Sequence, residues 1–246
     1  MAMVKPQHLR SMESFGFQPG RVLARKYKVI TRLGGGWEGE VYLVRERSTA
    51  IERAAKFFFP RQNLKDRAVN FYARKLHRLR ACPIVIQYHT HETITYRGTS
   101  VTFLVSDFVE GELLSEFLAR QPGRRIPVFP ALHLLHSLAC GIECIHRTRE
   151  YHGDLHPENI IVQRYGLGFD LKLLDLFHWG ACRPENIHDD VVDLVRIFYD
   201  AVGGQRYYAK QPQQVKDICR GLKRSLILKN FRSAGQLREY LQTLTW

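Results

Sequence analysis

Long apolar runs are missing. Nowhere do the 246 residues approach the roughly 18 consecutive apolar residues of a membrane-spanning helix, so no transmembrane segment is expected. The N-terminus lacks a signal-peptide core as well: Lys5, His8 and Arg10 are followed by Ser11, Met12 and Glu13, and the expected location is cytoplasmic. Cysteine is scarce and scattered. Cys82, Cys140, Cys144, Cys182 and Cys219 are odd in number and form no C-x-x-C pair, which indicates neither a disulfide framework nor a zinc site and fits a reducing compartment. Acidic residues are short too. Lys and Arg number 37 against 24 Asp and Glu, a net charge of +13, which suggests an acidic partner such as a nucleotide, a phosphorylated ligand, an anionic lipid surface or nucleic acid. No nucleic-acid-binding motif is recognisable, so a nucleic acid is the least expected of these.

What is present describes a globular chain, 45% apolar and 25% charged, with no internal repeat and no low-complexity tract. Residues 1–20 have little periodicity and end in Pro19-Gly20, the mark of an arm leading into the fold. Short β-branched and aromatic runs follow over 27–33, 41–45 and 54–59, broken by Gly34-Gly35-Gly36 and polar turns, which predicts an antiparallel meander. Val69, Tyr72, Leu76 and Leu79 repeat at helical spacing, with Arg74, Lys75, Arg78 and Arg80 mostly on the other side. Runs at 93–96 and 101–106, joined across Arg97-Gly98, read as a hairpin. After Asp107-Phe108-Val109-Glu110-Gly111 the pattern turns helical. Helices are expected over 113–118, 131–146, 190–202, 213–226 and 233–244, with a loop at 122–130 and a small hairpin built from 160–162 and 171–174. The predicted division is an arm over 1–20, a sheet-rich lobe over 21–107 and a helical lobe over 108–246.

Three stretches carry chemistry. Residues 33–42 contain G-x-G-x-x-G-x-V in Gly34, Gly36, Gly39 and Val41, set between two strands. That context disfavours a dinucleotide fold, which needs a helix N-terminus for the pyrophosphate, and favours a glycine-rich hairpin lying over phosphates; an ordinary glycine-rich hairpin is the plain alternative. Lys56, in the next strand, can reach the α- and β-phosphates, although a lone strand lysine is usually just solvated. In His152-Gly153-Asp154-Leu155-His156-Pro157-Glu158-Asn159, an Asp and an Asn precede an apolar strand: Asp154 can accept the proton of an attacking hydroxyl while Asn159 binds a metal. Asp175 then emerges after Leu171-Lys172-Leu173-Leu174, positioned to hold Mg²⁺ bridging the phosphates.

This order of motifs, from about Tyr27 onward, resembles the protein-kinase-like superfamily, and in particular compact bacterial Ser/Thr-kinase-like proteins. The resemblance implies an α+β, two-lobed fold with an antiparallel N-lobe of about five strands plus one helix and a reduced, mainly helical C-lobe. It makes Gly34, Gly36 and Gly39 the phosphate cover, Lys56 the phosphate anchor, Asp154 the catalytic base, and Asn159 and Asp175 the Mg²⁺ ligands. It puts Ser106 at the gatekeeper position and assigns adenine binding to the Asp107 carbonyl and the Val109 backbone. Glu112 could reach a ribose hydroxyl or be an exposed helix-start acid. Asp190 is either the buried aspartate that braces the catalytic loop or a simple acid at a helix N-terminus. Phe231 to Leu237 resembles the start of the family's last helix and implies a chain that closes as a complete lobe.

The departures are specific. The family's helix glutamate, which holds the lysine, is absent: between Lys56 and Glu92 the only acid is Asp66, and the expected position falls at Tyr72 or Ala73. Asp66 lies about 9 Å toward the N-terminus of that site, at about 1.5 Å per residue. Either the helix sits differently or Asp175 holds Lys56. Gly153 replaces the arginine before the catalytic Asp, and no Ser, Thr or Tyr lies between Asp175 and Asp190, so regulation by phosphorylation of that segment is not expected. His156 replaces the usual lysine, as in aminoglycoside and choline phosphotransferases, and Asp175-Leu176-Phe177 lacks the usual final glycine, which predicts a less mobile segment. The helix predicted over 213–226 is amphipathic and basic, a solvated face or an anionic-partner surface. His133, His136, His146 and His178 show no metal-ligand spacing. The implied reaction is transfer of the ATP γ-phosphate to a hydroxyl, of a protein Ser/Thr ahead of a small molecule, with a nucleotide-binding scaffold as the non-enzymatic alternative.

Overall fold

A computed structural model describes residues 12–176 and 180–245 of the chain. The expectations that fall on Lys5, His8, Arg10, Phe177 and His178 therefore lie outside the described residues. The described residues divide into two compact units, one formed by 12–77 together with 87–109, the other by 78–86, 110–176 and 180–245.

The first unit is a six-stranded antiparallel sheet in the order β1-β2-β3-β4-β6-β5 with helix α1. Its elements are β1 (Val22–Leu23), β2 (Tyr27–Gly35), β3 (Gly39–Glu46), β4 (Glu52–Phe58), α1 (Arg67–Arg78), β5 (Tyr88–Tyr96) and β6 (Thr99–Asp107). The β5–β6 turn is the two-residue kind foreseen at Arg97-Gly98, with both residues at positive φ (51° and 74°), the twist that keeps hairpin strands paired. Strand β6, flanked by β4 and β5, is buried from Val101 through Ser106. Residues 12–19 are more than a lead-in. Phe15 and Phe17 are buried in a cluster with Tyr42, Phe57, Tyr96 and Phe103, where Phe15 stacks on Phe17 at 5.3 Å between centroids. The Glu40 carboxylate fastens this segment by accepting from the Phe15 N–H (2.9 Å), Ser14 (3.0 Å), Tyr42 (2.6 Å) and Arg32 (3.1 Å). Burial alone would raise the Glu40 carboxyl, but those donors hold it below its ordinary value. On α1, Lys75 is buried rather than turned to solvent with its basic neighbours.

The second unit is built around α3 (Val128–Arg147), which is long and apolar enough to cross a bilayer by length and composition. Here its Leu134, Leu138, Ile142 and Ile145 are buried instead, packed among α4 (Pro184–Ala201), α8 (Ala234–Gln242) and β9 (Gly168–Leu173). The remaining elements are β7 (Glu112–Leu113), α2 (Leu114–Ala119), β8 (Ile160–Tyr165), α5 (Gly204–Tyr208), α6 (Gln213–Cys219) and α7 (Arg224–Asn230), and a small antiparallel sheet runs β7-β8-β9. Residues 78–86 join this unit for a steric reason: Gly141 on α3 leaves the notch that Ile84 fills, and a Cβ there would meet the Ile84 side chain at 2.3 Å. Ile84 also accepts the Leu173 N–H at 2.8 Å.

Several expectations are corrected. Cys82 is paired with Cys144 in a disulfide, Cα–Cα 5.7 Å; residues 78–86 and α3 bring them together through tertiary packing, which no short-range cysteine motif signals. The expected helix over 213–226 is two helices, α6 and α7, because Arg220, Gly221 and Leu222 all take positive φ (49°, 60° and 57°). Helix α4 starts at Pro184, well before 190, with the proline preset for the first helical position.

Candidate functional site

In the first unit the glycine-rich segment is the β2–β3 hairpin, with Gly34 opposite Val41 and Gly35 opposite Glu40. Its glycines answer to different needs. A Cβ on Gly39 would lie 1.8 Å from the Phe57 carbonyl oxygen, so the approach of β3 to β4 requires glycine there. Among the described residues, nothing lies within 4 Å of a Cβ built on Gly34 or Gly36; both face open space, where bare backbone can approach a ligand.

Val41 is paired across the ladder with Lys56. The Lys56 ammonium donates to Glu38 Oε2 at 2.9 Å and to the Tyr72 hydroxyl at 2.9 Å, and it lies 4.5 Å from the Tyr72 ring centroid. The Tyr72 hydroxyl in turn donates to Glu38 Oε2 at 3.3 Å, closing a three-membered network. Glu38 sits between the glycines of the hairpin, and Tyr72 stands on α1 at one of the two positions where the missing glutamate was sought. Neither arrangement foreseen for Lys56 included Glu38. The sequence signal was there, an acid inside the glycine motif, but it reads as a solvated loop residue. Asp66 instead accepts from Asn63 at 3.0 Å.

Near the end of β6, the Asp107 carboxylate accepts from Arg53 at 2.9 Å and pairs with His89 Nε2 at 2.6 Å, while its N–H donates to the Gln87 carbonyl at 3.0 Å. Ser106 is buried and Val109 half-buried. In the second unit, Glu112 is neither exposed at a helix start nor unengaged: it lies in β7, and Arg120 grips both its oxygens, one at 2.8 Å.

The loop bearing Asp154 is held by a carboxylate beneath it. Asp190, fully buried inside α4, accepts from the His152 N–H (2.8 Å), the Gly153 N–H (2.8 Å) and His146 Nε2 (2.9 Å). Burial would raise the Asp190 carboxyl, but the bonds from His146, Gly153 and His152 bring it below its usual 3.8. It is thus the brace of the loop and not an acid of the first helical turn. Gly153 takes φ +84°, a conformation that strains any side chain, so the residue replacing the family's arginine also shapes the turn. His152 is buried; its Nδ1 accepts from the Asp154 N–H (3.3 Å), which leaves Nε2 to donate to the Leu174 carbonyl at 3.0 Å. Sequence reasoning missed His146 and His152 as structural members of the site, because a histidine that orients a loop has no spacing signature.

Asn159 is buried in the turn Pro157–Asn159, and its Nδ2 donates to the Asp154 carbonyl (2.9 Å) and contacts Asp154 Oδ2 (3.3 Å) and His156 Nε2 (2.9 Å). That orientation turns Oδ1 the other way. The Asn159 carbonyl accepts the Leu174 N–H at 2.8 Å, which sets Asp175 beside the loop; Asp175 is exposed at φ 51°, a left-handed conformation that aspartate tolerates. An amide oxygen and an exposed carboxylate are the hard oxygen donors that suit Mg²⁺. Asp154 is itself 61% exposed through its side chain, open to an incoming hydroxyl. The structure thus gathers Asp154, Asn159 and Asp175 in one unit, and Gly34, Gly36, Gly39, Val41 and Lys56 in the other.

The family described as "Protein kinase domain" matches residues 27–212. A serine/threonine-protein kinase, pkn2 of Myxococcus xanthus, is 33% identical over 158 residues, covering 63% of this chain and 18% of its own. A Corynebacterium glutamicum protein named as serine/threonine-protein kinase PknA is 27% identical over 201 residues, 80% of this chain and 40% of its own. Calcium-dependent protein kinase 2 of Arabidopsis thaliana is 28% identical over 199 residues, 76% of this chain and 30% of its own. The chain therefore spans well under half the length of each of these relatives.

Proposed function

Because the chain belongs to the protein kinase domain family, we propose that it is a working phosphotransferase, which moves the γ-phosphate of ATP to a hydroxyl, most readily that of a protein serine or threonine. The observation that carries this reading is the hydrogen-bonded assembly of Asp154, Asn159 and the Leu174–Asp175 strand end, held from below by Asp190. Asp154 Oδ accepts the proton of the acceptor hydroxyl as its oxygen bonds to the γ-phosphorus; the bond to the bridging β–γ oxygen breaks, and ADP leaves with that oxygen. Lys56 neutralises charge on the α- and β-phosphates. Gly34 and Gly36 offer backbone N–H groups to the phosphates, and the Asp107 carbonyl and Val109 backbone hold the adenine edge. Asn159 and Asp175 would hold Mg²⁺, which when bound neutralises the phosphate charge that develops on transfer. A protein acceptor is favoured by the two bacterial relatives named as serine/threonine-protein kinases.

The test is the purified full chain with Mg²⁺ and ATP, read by ADP release and by intact mass, with a panel of protein and small-molecule hydroxyl acceptors. Turnover is expected, and Asp154→Ala should lower it about 100- to 10,000-fold, with Asp175→Ala comparably impaired. Phosphorylation of a small molecule alone would defeat the protein-acceptor reading. Nucleotide binding without turnover across the panel would favour a scaffold.

A further inference from the structure

The absent helix glutamate leaves a question that the glycine-rich hairpin answers. Glu38 is only 8% exposed, whereas Trp37 beside it is 69% exposed. A carboxylate at the tip of a hairpin has every reason to stay in water unless a charge partner compensates for its desolvation. Here the hairpin is pinned so that the carboxylate turns inward: the Glu38 carbonyl accepts the Phe59 N–H at 2.8 Å, and the next residue, Gly39, has its backbone against Phe57. The inward carboxylate meets the Lys56 ammonium at 2.9 Å, with the Tyr72 hydroxyl accepting from one and donating to the other.

We propose that Glu38 is the positioning residue for Lys56, supplying from the glycine-rich hairpin the carboxylate that other members of the family supply from the helix where Tyr72 stands. Resting on the phosphotransferase reading above, this changes what controls the lysine. A helix-borne carboxylate ties the lysine to the placement of that helix; a hairpin-borne one ties it to the segment that covers the phosphates. Lysine orientation and phosphate cover become one event. Tyr72 holds the network from the α1 side through its hydroxyl and ring face, a neutral contact that adds no second carboxylate.

The experiment compares the full-length wild type with Glu38→Gln, Tyr72→Phe and the exchange variant Glu38→Gln/Tyr72→Glu, using two readouts. The first is kcat and KM for ATP determined separately. The second is the rate at which an amine-reactive ester acylates Lys56 without nucleotide, followed by peptide mass spectrometry; it needs no turnover. Glu38→Gln should lower kcat/KM for ATP on the order of 100-fold and speed Lys56 acylation several-fold, because the ammonium loses the Glu38 carboxylate. Returning a carboxylate to the helix in the exchange variant should recover a large part of the loss and slow acylation again. Tyr72→Phe should give a smaller change of the same sign, and stands in if the exchange variant does not fold. Kinetics within about twofold of wild type for Glu38→Gln, with unchanged acylation, would overturn the proposal. So would a Glu38→Gln protein that turns over ATP faster than wild type, since the carboxylate would then be occupying the lysine at the phosphates' expense. Turnover absent from the wild type itself defeats the phosphotransferase reading, while the acylation rates still decide whether Glu38 holds Lys56.

Discussion

Two carboxylates hold functional groups in this protein, and they do so in different ways. Glu38 reaches Lys56 across 18 residues of sequence and binds side chains, an ammonium and through it a phenol. Asp190 reaches Gly153 across 37 residues and binds main-chain N–H groups together with His146. A point charge facing an ammonium is satisfied from many directions, so the carboxylate can be supplied by one element or another. Two adjacent backbone donors converging on one carboxylate fix direction as well as distance. The first arrangement is easily moved within a fold and the second is not.

The sharpest way to break that comparison is to remove each carboxylate and compare the cost. Asp190→Ala leaves two buried N–H groups and a histidine nitrogen without their acceptor, and should cost about 3–5 kcal/mol in urea unfolding of the full chain. Glu38→Ala leaves the Lys56 ammonium with the Tyr72 hydroxyl still beside it and should cost less, about 1–3 kcal/mol. Equal losses would mean that both carboxylates are structural in the same sense. The Asp190 contribution also has a defined pH window. Its folded carboxyl lies below the usual 3.8, so its stabilisation is fully present above 3.8 and is lost as pH falls through the lower folded value. Acid unfolding of the wild type should therefore be steeper below that point than that of Asp190→Asn.

A smaller effect separates the glycines of the hairpin. Gly39→Ala drives a Cβ into the Phe57 carbonyl and should lower stability by about 1–3 kcal/mol. Gly36→Ala places its methyl in open space and should leave stability within about 0.5 kcal/mol while weakening ATP binding in a titration. A Gly36→Ala protein that binds ATP as the wild type does would remove Gly36 from the phosphate cover.

How legible these features were follows from the same contrast. Strand alternation, the Arg97-Gly98 turn and the spacing of Asp154, Asn159 and Asp175 are local patterns, and the sequence carries them openly. The kinase fold class could be read for that reason. Glu38 was invisible because its role depends on which way a hairpin tip turns, and that is set by Gly39 meeting Phe57 in another strand. The pairing of Cys82 with Cys144 and the burial of Phe15 and Phe17 are likewise products of tertiary packing between distant segments. Asp190 was legible only as one of two alternatives, since the helix start that decides between them lies at Pro184, six positions earlier than the apolar periodicity suggested. The single basic helix over 213–226 failed because the charge pattern runs on across Gly221 while the backbone does not.

The smallest effect concerns a carboxylate that braces nothing. Asp193 lies one turn beyond Asp190 on α4, and its carboxyl is pushed up to about 6 by burial; Arg196, 3.8 Å away, opposes the shift, while Asp190, Asp189 and Asp154 add to it. A raised carboxyl favours the folded state below its unfolded value of 3.8, and that advantage is lost as pH rises toward about 6. At neutral pH the charged Asp193 is therefore a burden on the unit that Asp190 supports. Asp193→Asn should raise stability by about 1 kcal/mol at pH 8, a figure reduced for the partial exposure of the group, and by nothing measurable near pH 3.5. Urea midpoints of the two proteins across that range should diverge as pH increases. Parallel midpoints would mean that Arg196 and solvent already compensate the charge of Asp193.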